Sequence, residues 1–420
     1  MFVTRNRFLS TLGAARRLTV SADHVHVASM GVRRACSPVY RGNACWRLLD
    51  HNHVRMTHSV TQPWITTEDE NREMMALWPE VVSDLVHGAK ISMPYDLPDL
   101  PNVHKWMAKI LQYIVPGEKK TRGLTVPYVY RLLTSNDQLT EDNIRLTRIL
   151  EFCVEMLQAY SFLLEDLQDG YYMKLLHKDL PYWYRIYDEL SQAIAEDGII
   201  LEYSFYYVIQ KHFEGKECCT ELLVTFQDIL WKTINNQWID LESTDLGMKL
   251  NHDLFTMDRY NSIVEYKTSH YSFLLPVIAA MHFAGIKDPE MFKQAELILL
   301  GMGRFFQVRD DYMACFEESE VVGKYNTDIQ KGKCTWLIVT ALDRATPVQR
   351  NILKECYGSS DPEKVKRVKQ LFIDLELPDR YSIYEDETYN LLNELLQQIS
   401  PGPLHSFFSD LLGKLYRRGI

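Results

Sequence analysis

The chain has 420 residues, of which 46% are hydrophobic and 24% charged. That balance excludes a disordered or fibrous chain, and the length allows a large buried core. Lys plus Arg number 46 and Asp plus Glu 56, a net charge of −10, so no whole-chain basic field points to nucleic acid.

The charge is unevenly placed. Residues 1–60 hold nine arginines, no lysine and two acids, Asp23 and Asp50, so this stretch carries +7 and the rest −17. An Arg-rich, acid-poor segment with short apolar stretches such as Phe8-Leu9-Ser10-Thr11-Leu12 reads as a mitochondrial transit peptide. An untargeted basic tail is the alternative. The reading divides the chain into a targeting segment, 1–62, and a single domain, 63–420.

Beyond Pro63 the composition is steady, with no Gly/Ser-rich or Pro-rich linker. The first strong helical stripe is Leu146, Ile149, Leu150, Cys153, Val154, Met156, Leu157 and Tyr160. It runs into Leu164-Glu165-Asp166-Leu167-Gln168-Asp169. On a helix, Glu165 and Asp166 each share a face with Asp169. Crowded carboxylates repel unless a hard divalent cation sits among them, and Mg²⁺ takes one or two carboxylates plus phosphate oxygens. A solvated acidic face is the ordinary explanation of such a run, but here the flank Phe162-Leu163-Leu164 is apolar. The apolar stretch from Phe273 to Gly285 is interrupted by Pro276 and His282 and is too short to span a bilayer. A second stripe, Ile298, Met302, Phe305, Phe306 and Tyr312, carries Gln307, Asp310 and Asp311. The two acidic clusters read as facing carboxylate walls with Mg²⁺ and a polyphosphate between them.

Strand-like alternation is scarce, so the domain is expected to be all-α, with roughly a dozen helices. Turns are expected near Pro116-Gly117, Ser135-Asn136-Asp137, Asp197-Gly198, Gly215, Asp288-Pro289, Gly358-Ser359 and Pro401-Gly402. The eight cysteines form no C-x-x-C and no zinc spacing, and read as reduced packing groups. Candidate cations for a phosphate are Lys119 and Arg122, Lys267 beside Thr268, Lys324 and Lys333. No Walker-type loop or G-x-G-x-x-G is present, which argues against a nucleotide site.

The run Phe305-Phe306-Gln307-x-x-Asp310-Asp311-Tyr312, then Gly323-Lys324-x-x-Thr327-Asp328-Ile329-Gln330 and Lys333-Cys334-Thr335-Trp336, resembles the farnesyl diphosphate synthases. So do Gly123-Leu124-Thr125-Val126, Gln158-Ala159 and Glu265-Tyr266-Lys267-Thr268. The resemblance spans roughly residues 75–420. It implies the isoprenoid synthase fold, a helical bundle around a central cavity, usually as a homodimer. It further implies three Mg²⁺ held by Glu165, Asp166, Asp169, Asp310 and Asp311. A prenyl diphosphate would be bound by Lys119, Arg122, Gln158, Lys267, Lys324 and Lys333. Lys267, Thr268, Gln307 and Lys324 would serve catalysis, and Tyr160 and Ser161 would form the cavity wall that limits chain length.

The sequence departs from that family in several places. Glu165 replaces the first aspartate of the first motif, and Ala314 stands where the second motif ends in a carboxylate. The arginine pair that normally follows the first motif is missing from 170–179, where Lys174, His177 and Lys178 are the available bases. The basic C-terminus is reduced to Arg417-Arg418-Gly419-Ile420. Lys lacks the bidentate fork of Arg, so the site for isopentenyl diphosphate, the second substrate, looks weakened. A small residue, Ser161, opens the wall below the metals. On these grounds the expected activity is a terpene synthase that ionises farnesyl diphosphate. The alternative is a prenyl transferase making geranyl or farnesyl diphosphate. A third reading is a catalytically poor regulatory partner of a true synthase.

Overall fold

Helix α4 spans Glu141–Gln168. Its buried residues include every member of the first stripe, from Leu146 to Tyr160. Burial of each such side chain is worth about 1.5–3 kcal/mol. The Thr140 hydroxyl accepts from Asn143 N at its start, and Glu141 and Asp142 lie in its first turn, where the helix dipole favours acids. In this computed structural model residues 68–92, 100–115, 122–168, 190–243, 250–316, 327–399 and 402–416 are described. The basic segment at 1–62 lies outside them.

Before α4 come α1 (Glu68–Ser92), α2 (Leu100–Ile114) and α3 (Thr125–Leu133). After it come α5 (Leu190–Phe213) and α6 (Cys219–Ser243), then α7 (Met257–Val264). A π-helix, Glu265–Leu274, continues α7 directly and passes into α8 (Leu275–Phe283). The long α9, Pro289–Phe316, is followed by α10 (Asp328–Lys331), α11 (Trp336–Arg344), α12 (Pro347–Cys356), α13 (Pro362–Asp374), α14 (Leu377–Gln398) and α15 (Pro403–Leu415). No strand occurs among the described residues, as the periodicity predicts. None of their helices is long and apolar enough to cross a membrane. Cys153, Cys218, Cys315, Cys334 and Cys356 are buried thiols without a disulfide.

Two hydrophobic cores meet along α9. Ala295, Ile298, Leu299, Met302 and Phe305 belong to the larger core around α4, α5, α6 and α8. Val308 and Cys315 belong to a smaller one with Tyr260, Trp336, Leu353, Phe372 and Tyr381. The Asp310-Asp311 pair lies on α9 among the residues of this second core.

One local expectation changes. Asp197-Gly198 lies inside α5 rather than at a turn. Tertiary contacts override the turn propensity: Asp197 is buried and accepts from Trp106 Nε1 at 3.1 Å, while Gly198 packs under the Tyr160 ring of α4. The π-helix is a widened turn that helical periodicity does not announce.

Candidate active site

The π-helix joins the functional segments. The Oγ of Ser269 donates to Val264 O at 3.3 Å, and His270 Nδ1 lies 2.8 Å from Glu265 O, both spanning five residues. Gly303 of α9 allows the close approach, since a Cβ there would sit 2.3 Å from Ser269 Oγ and 2.7 Å from Ser269 Cα. Burial pushes the His270 imidazole down to about 4, so the ring is neutral near pH 7.

From this helix Thr268 Oγ1 donates to Gln307 Oε1 at 3.0 Å. The Gln307 amide in turn donates to Asp311 Oδ1 at 2.9 Å and reaches Asp310 Oδ2 at 3.4 Å. Thr268, Gln307, Asp310 and Asp311 therefore form one network. Lys267 is ion-paired, with its Nζ 2.6 Å from the largely buried carboxylate of Asp240 on α6.

The two aspartates of α9 differ in kind. Asp311 is buried, and its Oδ2 accepts from the Tyr260 hydroxyl at 2.7 Å and from Trp336 N at 2.8 Å. Desolvation raises its carboxyl to about 7, against the lowering effect of the Trp336 amide and Gln307. Asp310 is half-buried and approached by one amide hydrogen. Its hard oxygens suit Mg²⁺ better than those of Asp311, which protein donors already occupy.

Arg122 also reaches the π-helix. Its Nε donates to Ser272 Oγ at 2.8 Å, and its guanidinium lies 5.6 Å from the Tyr271 ring centroid. Gly123 N donates to Glu155 Oε1 at 2.8 Å, so α4 holds the turn that carries Arg122. A Cβ on Gly123 would come within 2.5 Å of Glu151 Cγ. Further along α4, the Oε1 of Gln158 is buried, Tyr160 is buried, and half-buried Ser161 donates its hydroxyl to Leu157 O at 3.0 Å. That bond folds the Ser161 polar tip back onto the helix. Burial, then the Glu202 carboxylate, push the Tyr160 phenol up to about 12.

Lys333 follows the one-turn α10 and is half-buried. Glu165 and Asp166 lie in the last turn of α4, their side chains outside the described residues, as are Asp169, Lys119 and Lys324. Among the described residues no three His, Cys, Asp or Glu side chains cluster as a metal site. The network brings in residues that sequence reading passes over: Asp240, Tyr260, Ser272 and Glu155. None has a local signature, because each matters only through a partner distant in the chain.

The profile of the Polyprenyl synthetase family matches residues 104–375. The chain belongs to the polyprenyl synthetase family. A farnesyl pyrophosphate synthase of Murgantia histrionica is 42% identical over 357 residues, covering 85% of this chain and 84% of that protein. One from Nezara viridula is 43% identical, with 85% of each covered. A farnesyl pyrophosphate synthase of Gallus gallus is 34% identical, covering 84% of this chain and 94% of its own. A solved structure of Trypanosoma brucei farnesyl diphosphate synthase with a bisphosphonate superposes with a TM-score of 0.73 at 29% identity, covering 83% of this chain and 99% of that one. The fold is thus the all-α isoprenoid synthase fold that the resemblance implies.

These relatives overturn the terpene synthase expectation. They are named farnesyl pyrophosphate synthase, at 34% to 43% identity over most of the chain. The lyase assignment gives way to an enzyme of the polyprenyl synthetase family. It rested on missing arginines at 170–179 and a reduced basic C-terminus at 417–420, both outside the described residues, and on the small Ser161. Absent residue types are a weak guide to charge, because a lysine or histidine from another turn can fill the same place.

Proposed function

We propose that the protein is a Mg²⁺-dependent prenyl transferase that joins isopentenyl diphosphate to an allylic diphosphate, with farnesyl diphosphate as product. The observation that carries this is the 42% identity to a farnesyl pyrophosphate synthase over 85% of the chain. The site supports it chemically. Arg122, held between Ser272 and Tyr271, supplies a planar cation of the kind that grips a diphosphate by paired hydrogen bonds. Asp310, with Glu165 and Asp166 from the last turn of α4 and with Asp169, is assigned to Mg²⁺, for which three ions are expected. Bound Mg²⁺ would neutralise charge on the departing diphosphate. Asp311 is assigned a bracing role through Tyr260, Trp336 and Gln307. Thr268 and Gln307 orient one another, and Lys267, fixed by Asp240, presents charge to the same region. Lys119, Lys324 and Lys333 are assigned to the diphosphates.

Two further readings belong to this proposal. The homodimer is assigned to the exposed apolar faces of α5 and α6. There Ile199 and Tyr203 stand one turn apart and Val224 and Trp231 two turns apart, with Tyr203 69% and Trp231 66% exposed. Trp231→Glu should shift the molecular mass in solution from two chains to one. Residues 1–62 are assigned to mitochondrial targeting, which a fluorescent fusion with and without that segment tests.

Incubation with Mg²⁺, isopentenyl diphosphate and dimethylallyl or geranyl diphosphate tests the activity. Farnesyl diphosphate is the expected product. Release of a hydrocarbon or terpene alcohol from farnesyl diphosphate alone, with no condensation product, would refute the transferase reading.

A further inference from the structure

We propose that Tyr357 is a positioning residue for Lys333 and sets the direction from which this lysine meets the metal-bound diphosphate. The inference rests on Lys333 being a diphosphate-binding residue, as proposed above. Tyr357 ends α12, far in sequence from the lysine, yet its hydroxyl donates to Lys333 O at 2.6 Å. Thr335 N donates to the same oxygen at 3.0 Å, and Lys333 N donates to Asp328 O at 3.0 Å. Both peptide planes that flank Lys333 are thereby held. Because peptide units are planar, fixing the two planes fixes φ and ψ, and with them the Cα–Cβ direction.

The neighbouring residue locks the same segment. Gly358 N donates to Ile329 O at 2.8 Å, tying the corner after α12 to α10. Gly332 and Gly358 both take left-handed backbone, φ 66° and 82°. They nest so closely that a Cβ on Gly332 would lie 3.3 Å from Gly358 Cα. The far end of the segment is pinned as well, since Trp336 N donates to Asp311 Oδ2 next to Asp310. The Lys333 loop is therefore strung between Tyr357 and the carboxylate helix α9. That connection to Asp311, whose chain neighbour Asp310 is the proposed Mg²⁺ ligand, is why the metal-bound diphosphate is its target. The Tyr357 ring is buried and meets His252 and Phe255 edge-on, so ring packing and hydroxyl donation are separable contributions.

Tyr357→Phe keeps the ring and removes the hydroxyl. With the full chain and Mg²⁺, KM for the allylic diphosphate should rise about 5- to 20-fold while kcat stays within about twofold, the signature of lost binding that substrate and transition state share. Lys333→Ala should raise the same KM, and Tyr357→Phe should add nothing further on that background. An unchanged KM in Lys333→Ala would remove Lys333 from the diphosphate site and overturn the reading beneath the inference. A raised KM in Lys333→Ala with an unchanged KM in Tyr357→Phe would overturn the positioning role alone. So would a Tyr357→Phe effect that persists without the lysine. If Tyr357→Phe does not fold, Gly358→Ala strains the same corner, and an unchanged KM in that variant would equally overturn it.

Discussion

Replacing Asp311 by alanine should unfold the protein more readily, whereas replacing Asp310 should spare the fold and remove activity. Three protein donors converge on Asp311: the Tyr260 hydroxyl at 2.7 Å, Trp336 N at 2.8 Å and the Gln307 amide at 2.9 Å. All three belong to segments packed around the second core. Truncation leaves buried donors without a partner, each at about 1–3 kcal/mol, and a small cavity besides. The raised Asp311 carboxyl shows that its own burial is costly, which offsets part of that sum. The net loss for Asp311→Ala should be about 3–5 kcal/mol. For a helical domain of this size about 3 kcal/mol corresponds to roughly 4 °C in Tm. Asp311→Asn keeps an acceptor for Tyr260 and Trp336, and should lose about half as much. Asp310→Ala removes a half-buried carboxylate with one long contact and should change stability by less than about 1 kcal/mol. Differential scanning fluorimetry with a Mg²⁺-dependent condensation assay separates the two outcomes. An Asp311→Ala protein as stable as the wild type, or an Asp310→Ala protein that condenses normally, would refute the division of roles.

Other perturbations follow from the same geometry. On the family resemblance that assigns Ser161 to the wall limiting chain length, Ser161→Phe adds a ring where the hydroxyl now folds back onto Leu157 O, so the product ratio should shift from farnesyl towards geranyl diphosphate, read by chromatography of the dephosphorylated products. Gly303→Ala forces a methyl into Ser269; the cost should be about 1–3 kcal/mol of stability, with kcat lowered because Thr268 is displaced from Gln307. His270 is held neutral by burial at about 4, so the unfolded chain takes up its proton first. Its contribution to stability is complete above the unfolded value near 6.5 and is lost as pH falls towards 4, by up to about 3 kcal/mol. His270→Asn should flatten the dependence of Tm on pH between roughly 7 and 5; an equally steep dependence in the variant would show that another group is responsible.

The all-α class was legible from the sequence alone because helical burial has a period the residues display. All eight members of the Leu146–Tyr160 stripe are buried as that period requires. The family was legible too, because its signature consists of contiguous residues such as Phe305-Phe306-Gln307 and Asp310-Asp311. The activity was misread where the argument depended on missing charge between residues 170 and 179. A charge can be supplied from elsewhere in space, and linear spacing carries no information about that. Tertiary structure alone separated Asp310 from Asp311, identical and adjacent in the chain. One helical position rotates the side chain by about 100°, enough to turn Asp311 towards Tyr260 and Trp336 while Asp310 stays half-buried. It alone brought Asp240 to Lys267, Ser272 to Arg122 and Tyr357 to Lys333, each pair at least 24 residues apart. Such partners leave no local pattern, since a hydrogen bond constrains positions in space and places no demand on the residues in between.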